Sequence, residues 1–440
     1  MRVRTTILCA IAAGFLFANV SCIGVRRVEF GKEGAKKVVV TGARLPVPLP
    51  VIPERLFRVK EYGAVGDGIA DDTAAIQRAI EDANSLGGGV VVLSGGVFLS
   101  GPIRLANRIC LQIDGDAVLK MLPYERYMAA AWAEGRYEPL ILGGNVHDVA
   151  IRGAGVIEGQ GQPWWDEFRA GGLRTTKRPI EALFYNSQRV LIQGVLFQNA
   201  PNVHLSIGSC DDVTIDGVRV ETEPGTPNTD AFNVRGHNIL VQNCVISCGD
   251  DNIALSGPSE GITIRNCRFL RGHGVSIGSY TRNGLANMLV ENCTFNRTES
   301  ALRGKSDRGR GGVVENLHYR NIGITGVKRP IYFTSNYTRK MKGPNEEIFE
   351  PFTGLTPVWR NVTFENVTAI VPGKYPAGTL WGLPEAPIEN FTFRNVNITA
   401  YRGFEVYYAK GIMFEKDCRV VPASGERVIE YQADVSYYGR

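Results

Sequence analysis

The sequence predicts an all-β protein folded as a single parallel β-helix, a solenoid, capped at its N-terminal end by a helix. Three observations carry that expectation. A short apolar-polar alternation ending in glycine or asparagine keeps returning, as in Val190-Leu191-Ile192-Gln193-Gly194, Val213-Thr214-Ile215-Asp216-Gly217 and Ile239-Leu240-Val241-Gln242-Asn243. Its turn residues Gly194, Gly217, Asn243, Asn266 and Asn292 follow one another at 23, 26, 23 and 26 residues, and a period in the twenties marks stacked units. The chain also carries 51 glycines in 440 residues with no three-residue period, which supplies many turns and excludes a collagen-like chain.

Composition fits the same picture. With 44% hydrophobic and 21% charged residues, the chain can bury a large core and is not disordered. Its length would suggest two or three ordinary domains, but a solenoid escapes that prior because each layer touches only its neighbours. Leucine-rich repeats share the period yet need a leucine ladder, which is absent. Glycine and asparagine accept a left-handed backbone, so each marks a bend after which a new strand begins. Nine cysteines are too few for a disulfide scaffold. Cys244, Cys267 and Cys293 each follow a turn asparagine and are expected to stack inside the cylinder as small hydrophobes; no CxxC pair supports a metal or disulfide there. Matches to Asn-x-Thr, such as Asn361-Val362-Thr363, follow from the same turn-then-strand rule and carry no glycosylation meaning.

The elements follow in order. Arg2 and Arg4 precede an apolar run from Ile7 to Val20, so residues 1–22 are expected to be an export signal. Val20-Ser21-Cys22 leaves two readings open, a lipid anchor at Cys22 or ordinary cleavage nearby. An exported protein is expected, whether periplasmic, anchored in the outer membrane or extracellular. No later run is long enough for a membrane span. Residues 23–53, basic and ending in Leu45-Pro46-Val47-Pro48-Leu49-Pro50, are expected to be a tether, and 54–440 the β-helix. Its cap is expected at Asp71-Asp72-Thr73, which precedes Ile76, Ala79, Ile80 and Ala83 on one helical face. The Asp71-Asp72 pair there is read as capping, not catalytic.

Four clusters fall in consecutive coils: Asn228-Thr229-Asp230, Gly249-Asp250-Asp251, Gly272-His273-Gly274 and Arg303-Gly304-Lys305. Asp230 to Asp250 is 20 residues and Asp251 to His273 is 22, so a solenoid turns sequence distance into roughly 5 Å of height. Three carboxylates, an imidazole and two cations on one face could protonate a leaving oxygen, activate water and hold an anion, as hydrolysis of an acidic sugar requires. Crowded carboxylates repel, so at least one is expected to keep its proton. Asp250 and Asp251 can both reach a cleft only if the chain turns there, which Gly249 would permit.

In that order the four clusters resemble the signature motifs of glycoside hydrolase family 28, the polygalacturonases. The resemblance extends to Tyr62-Gly63-Ala64-Val65-Gly66-Asp67-Gly68 and Gly159-Gln160-Gly161-Gln162-Pro163-Trp164-Trp165. It implies a right-handed β-helix and hydrolysis of α-1,4-linked galacturonan, inverting and without metal or cofactor. By the same resemblance Asp250 is the general acid, Asp230 and Asp251 hold and activate water, and His273 supports the acid's protonation. Arg303 and Lys305 grip a substrate carboxylate, and Asn228 and Tyr337 bind substrate. Two positions depart from the pattern: Gly304 replaces an aliphatic residue between the two cations, and Ala231 stands where glycine is general.

The net charge of +5, with Arg271, Arg282, Arg297, Arg308 and Arg310 around the motifs, suits an acidic plant polysaccharide, pectin or galacturonan, as the partner of a monomer. Nucleic-acid binding would need interleaved aromatic residues, and Tyr280 alone does not supply them. A hydrolase of rhamnogalacturonan or substituted galacturonan is the nearest alternative. Further off stand a pectate lyase and a non-catalytic carbohydrate-binding β-helix, which has no need for three clustered carboxylates. The long segments Leu119 to Leu142 and Tyr337 to Pro357 could close one end of a groove, which favours cutting from a chain end.

Overall fold

The computed structural model describes residues 42–133, 135–173, 177–339 and 341–439. Residues 1–22, with the expected signal and Cys22, and most of the expected tether lie outside the described residues. The rest is a right-handed parallel β-helix, its main sheet holding 31 strands paired in parallel from coil to coil.

The turn residues fix this stacking. Asn243, Asn266, Asn292, Asn366 and Asn395 all have φ between 46° and 58°, the left-handed region that asparagine tolerates best among residues with a Cβ. Their amides form a ladder in which Asn321 donates to Asn292 at 2.9 Å, Asn366 to Asn321 at 2.9 Å and Asn395 to Asn366 at 2.9 Å. A second ladder runs through Asn316, Asn361 and Asn390 at 3.2–3.3 Å. Each bond joins equivalent positions of adjacent coils, so slipping one coil by a residue would break the ladder and turn every inward side chain out.

Inside, like residues stack on like. Phe269 lies on Phe295 at 4.7 Å, and Phe364, Phe393 and Phe414 continue at 4.9 and 4.2 Å. Cys244, Cys267 and Cys293 are buried and unbridged. Each thiol donates to the carbonyl two residues earlier at 3.2 Å, so the three act as small core residues.

The cap forms where expected. Helix α1, Thr73–Ser85, buries Ala75, Ile76, Ala79, Ile80 and Ala83. Its acidic start works differently from a standard N-cap: Asp71 accepts from the Thr73 amide, whereas Asp72 turns away and accepts from Val65 and Gly66, tying the preceding loop to the helix. Of the expected tether, residues 42–53 are laid along the coils: Ala43 donates to Thr263, Arg44 to Asn238 and Val51 to Asp148. Two further helices, α2 (Tyr124–Ala131) and α3 (Gln162–Arg169), pack together through Trp164, which meets Tyr124 and Tyr137 edge to face at 4.6 and 5.0 Å.

One face carries the strands that matter for function: β1 (Ala182–Tyr185), β2 (Leu205–Asp216), β3 (Phe232–Gln242), β4 (Ile253–Leu255), β5 (Val275–Ser279), β6 (Ser300–Ser306) and β7 (Arg329–Thr334). Ala182, Leu205, Phe232, Ile253, Val275 and Leu302 follow one another in register, and alternation sends their odd neighbours outward. Gly304 thus points inward on β6, where a Cβ would lie 2.4 Å from the Phe333 ring and 2.9 Å from Trp359. The glycine makes room for two aromatic residues. Gly304→Val is therefore expected to cost about 1–3 kcal/mol through overpacking, with part of the loss restored by Phe333→Leu; an unchanged unfolding midpoint in the single variant would show that the space is not filled.

Candidate active site

The carboxylates stand on turns that precede the strands. Because Phe232 pairs with Ile253 and Ile253 with Val275, the residues two places earlier form a column: Asp230, Asp251 and His273. Asp250 stands beside this column, so the stacked partner of Asp230 is Asp251, where sequence spacing had paired it with Asp250. The chain turns between Ser247 and Ile253, which lets both members of the Asp-Asp pair face one cleft. Gly249 makes that turn through close approach: a Cβ would lie 2.2 Å from Thr226 Oγ1 and 2.5 Å from Thr229 Oγ1.

The cleft, about 470 Å³, is lined by Asn228, Asp230, Asp250, Asp251, Lys305 and Tyr337 among others. His273 Nδ1 lies 2.9 Å from Asp250 Oδ1 and 3.9 Å from Asp251 Oδ1, while its Nε2 faces Glu299 Oε2 at 3.3 Å. Asp251, 3% exposed, accepts from Lys305 Nζ at 2.7 Å, Arg303 at 3.2 Å and Ser276 Oγ at 2.8 Å. Both cations also lie over the Tyr337 ring, at 5.1 and 5.5 Å. Alternation explains their convergence: Arg303 and Lys305 flank inward Gly304 and share one face. Every motif residue singled out from the sequence is thus in or beside one cleft, Tyr337 included.

Electrostatics separate the carboxylates. Burial, then repulsion from Asp250 and Asp251, holds the Asp230 carboxyl well above the usual range, against the pull of Lys305. Burial also works to raise Asp250, but the hydrogen bond and charge of His273, helped by Lys305, outweigh it and leave Asp250 below its ordinary value. Burial likewise opposes the His273 charge, and Asp250, Asp251 and Glu299 overcome that and raise it. The carboxyl held high is Asp230, while Asp250, held low, faces His273, held high, at 2.9 Å.

Asp250, Asp251 and His273 hold donor atoms within 4.8 Å of one another, a spacing that a metal could use. Arg303 and Lys305 already set two positive charges against Asp251, and a divalent cation would have to displace or repel them.

Several residues that sequence reasoning missed hold this arrangement. Arg178 donates to the Pro201 and Pro227 carbonyls at 2.8 and 2.7 Å and to Asn228 Oδ1 at 2.8 Å, so it positions the turn before Asp230. His204 is fully buried and pushed down to about 4 by burial. Its Nδ1 faces the Asp230 carbonyl at 2.9 Å and its Nε2 the Thr222 hydroxyl at 2.7 Å. A carbonyl only accepts, so the proton sits on Nδ1 and a neutral imidazole pins the Asp230 backbone. Buried Asn252 donates to the Arg271 carbonyl and accepts from Gly274 at 2.8 Å, locking the Asp250 turn to the His273 turn.

This β-helix with an acid-lined cleft defines a polysaccharide-processing class, and the comparisons place the chain within it. The model of the glycosyl hydrolases family 28 matches residues 92–416, and one described as rhamnogalacturonase A/epimerase, pectate lyase-like matches residues 56–125. The chain belongs to glycosyl hydrolase family 28. It is 30% identical to an endo-polygalacturonase of Pectobacterium carotovorum subsp. carotovorum, over 74% of this chain and 84% of that one. A polygalacturonase of Chamaecyparis obtusa is 27% identical over 71% of this chain, which spans 62% of that relative's length. The solved polygalacturonase from Erwinia carotovora ssp. carotovora superposes with a TM-score of 0.71 at 27% identity, covering 83% of this chain and 99% of that one.

The Asp230 carboxyl gives a stability test. Its folded pKa lies above the unfolded value near ~3.9, so the folded state keeps a proton that the unfolded state releases, and stability falls as pH rises from there through the folded pKa. Asp230→Asn is expected to raise the thermal midpoint at neutral pH, with the gain fading below pH ~4. A variant less stable than wild type at pH 7 would overturn this reading of the buried carboxyl.

Proposed function

We propose that the protein hydrolyses α-1,4 bonds between galacturonate units of pectin or polygalacturonate, with inversion at the anomeric carbon. The observation that carries this is the convergence of Asp230, Asp250 and Asp251 in one cleft with Arg303 and Lys305, an acid/base set beside cations that suit a uronate carboxylate. Asp250 gives its proton to the glycosidic oxygen. The hydrogen bond to His273 keeps a proton at this pair in acidic solution, and the pair titrates as a unit. Asp230 and Asp251 hold the attacking water on the opposite side of the sugar. Arg303, Lys305 and Tyr337 take the substrate carboxylate and ring, and His204 and Arg178 keep the Asp230 turn in place.

A second assignment draws on the burial of Asp230: its raised pKa suits a proton donor, which would leave Asp250 to activate water. The leaving group separates the two. A donor matters little when the leaving group needs no proton, so on an aryl galacturonide with an acidic phenol the donor variant should recover most of its rate. Asp250→Asn is expected to lower turnover on polygalacturonate by ~10²–10⁴ and to lose much less on the aryl substrate; the reverse pattern, with Asp230→Asn rescued, assigns the proton to Asp230.

The reaction itself is tested on polygalacturonate. New reducing ends should appear, without the ultraviolet-absorbing unsaturated product of a lyase and without loss of rate in chelator. Rhamnogalacturonan tested alongside should be cut more slowly. The segment after the cleft residue Tyr337 is anchored, Arg308 donating to Glu347 at 2.7 Å and to Glu385, and a long fixed segment following a cleft residue favours cutting near a chain end. Monomer or dimer is therefore expected from the start of the time course; early mid-length oligomers would show internal cleavage instead, and an unsaturated product would remove the hydrolase reading.

A further inference from the structure

On strand β3 the burial alternates, Phe232 and Val234 facing the core and Asn233 and Arg235 facing the cleft. This strand lies one coil to the N-terminal side of Asp250 and Asp251, whereas Arg303 and Lys305 lie on β6, two coils to the other side. Cations thus flank the carboxylates on both sides, but their states differ. Arg303 and Lys305 are already bonded to Asp251. Arg308 is held by Glu347 and Glu385, and Arg310 lies 4.0 Å from Asp307 and over the Tyr280 ring. Arg235 is half-buried on the cleft floor and has no carboxylate within 4.0 Å among the described residues.

In the neighbouring coil the partner of Arg235 is Gly208, and the guanidinium lies against it, a Cβ there falling at ordinary contact distance, 3.7 Å, from one of its terminal nitrogens. Two residues away on the same face, Asn233 Oδ1 is buried without a hydrogen-bond donor. A buried acceptor without a partner costs about 1–3 kcal/mol unless a ligand or water completes it. One strand therefore presents an uncommitted bidentate cation and an unfilled acceptor side by side.

From this we infer that Arg235 and Asn233 form a second uronate subsite, on the side of the scissile bond opposite Arg303 and Lys305, with Arg235 taking the sugar carboxylate and Asn233 Oδ1 accepting from a ring hydroxyl. The inference rests on the galacturonan reading and adds a specificity determinant to it. A guanidinium fork matches a carboxylate in two parallel bonds and loses that match when the acid is esterified. Two cationic subsites make the enzyme demand free acid on both sides of the bond it cuts.

The test compares wild type with Arg235→Gln and Arg235→Lys on unesterified and methyl-esterified galacturonan, with affinity electrophoresis in polygalacturonate gels as a readout independent of hydrolysis. Loss of a charge-assisted hydrogen bond is expected to lower kcat/KM for the free acid about 10- to 100-fold, through KM more than kcat. Arg235→Gln should be retarded less in the gel, and its preference for free acid over ester should shrink. Arg235→Lys should recover only part of the binding, since it keeps the charge and loses the fork. With a reducing-end-labelled trigalacturonate, the choice of bond should shift in Arg235→Gln. If wild type binds and cuts galacturonan and Arg235→Gln matches it in retardation and ester preference, the subsite is overturned and the hydrolase reading stands. A wild type that neither binds nor cuts galacturonan removes both.

Discussion

The structure depends on the left-handed turn at which each coil bends. Glycine and asparagine recur there because other side chains adopt a positive φ less readily, although Asp148, Arg189 and Asp212 do so at 53–56°, and asparagine adds an amide that bonds to the amide of the next coil. That bond fixes register, and register is what builds the cleft. Asp230, Asp251 and His273 form a column only because Phe232, Ile253 and Val275 do. A one-residue slip would send Arg303 and Lys305 into the core and Gly304 out of it. The geometry of the cleft is a consequence of periodic turns, with Arg178, His204 and Asn252 tying the turns that carry its carboxylates.

Within that frame, charge decides how the groups divide the work. Three carboxylates within one or two coil heights cannot all ionise cheaply. Two cations and a serine gather on Asp251, His273 gathers on Asp250, and Asp230, where burial and the charges of Asp250 and Asp251 outweigh Lys305, is held well above the ordinary carboxylate range. Neutral His204 belongs to the same balance: a charged imidazole there would lower Asp230, and burial prevents it. Part of the folded state's stability at neutral pH is given up to keep that carboxyl beside the others.

Much of this was legible in the sequence where periodicity could carry it. The recurring alternation placed the strands, the glycines and asparagines after it placed the bends, and spacing near one coil brought four motifs to one face. The cap was legible through Ile76, Ala79, Ile80 and Ala83, although Asp72 serves the preceding loop and not the helix. What escaped has a common cause. Arg178, His204, Asn252 and Ser276 are lone polar residues whose partners named above lie 18 to 50 positions away, and nothing local distinguishes them from other polar residues of a strand or turn. Helices α2 and α3 escaped because they are eight residues each and interrupt the repeat. Register itself was readable only to within a residue, since coils differ in length, and so Asp230 was paired with Asp250 in place of Asp251.

The commitment of Arg303 and Lys305 to Asp251 has a consequence for how a uronate is held. A carboxylate arriving beside Lys305 must share a cation that already bonds Asp251 at 2.7 Å, so its attraction is offset by what Asp251 loses. In the proposed reaction a uronate on that side competes with Asp251 for both cations, at some loss of affinity. A site built this way needs its grip from elsewhere along the cleft, and a cation that has no carboxylate to abandon is the cheapest source of it.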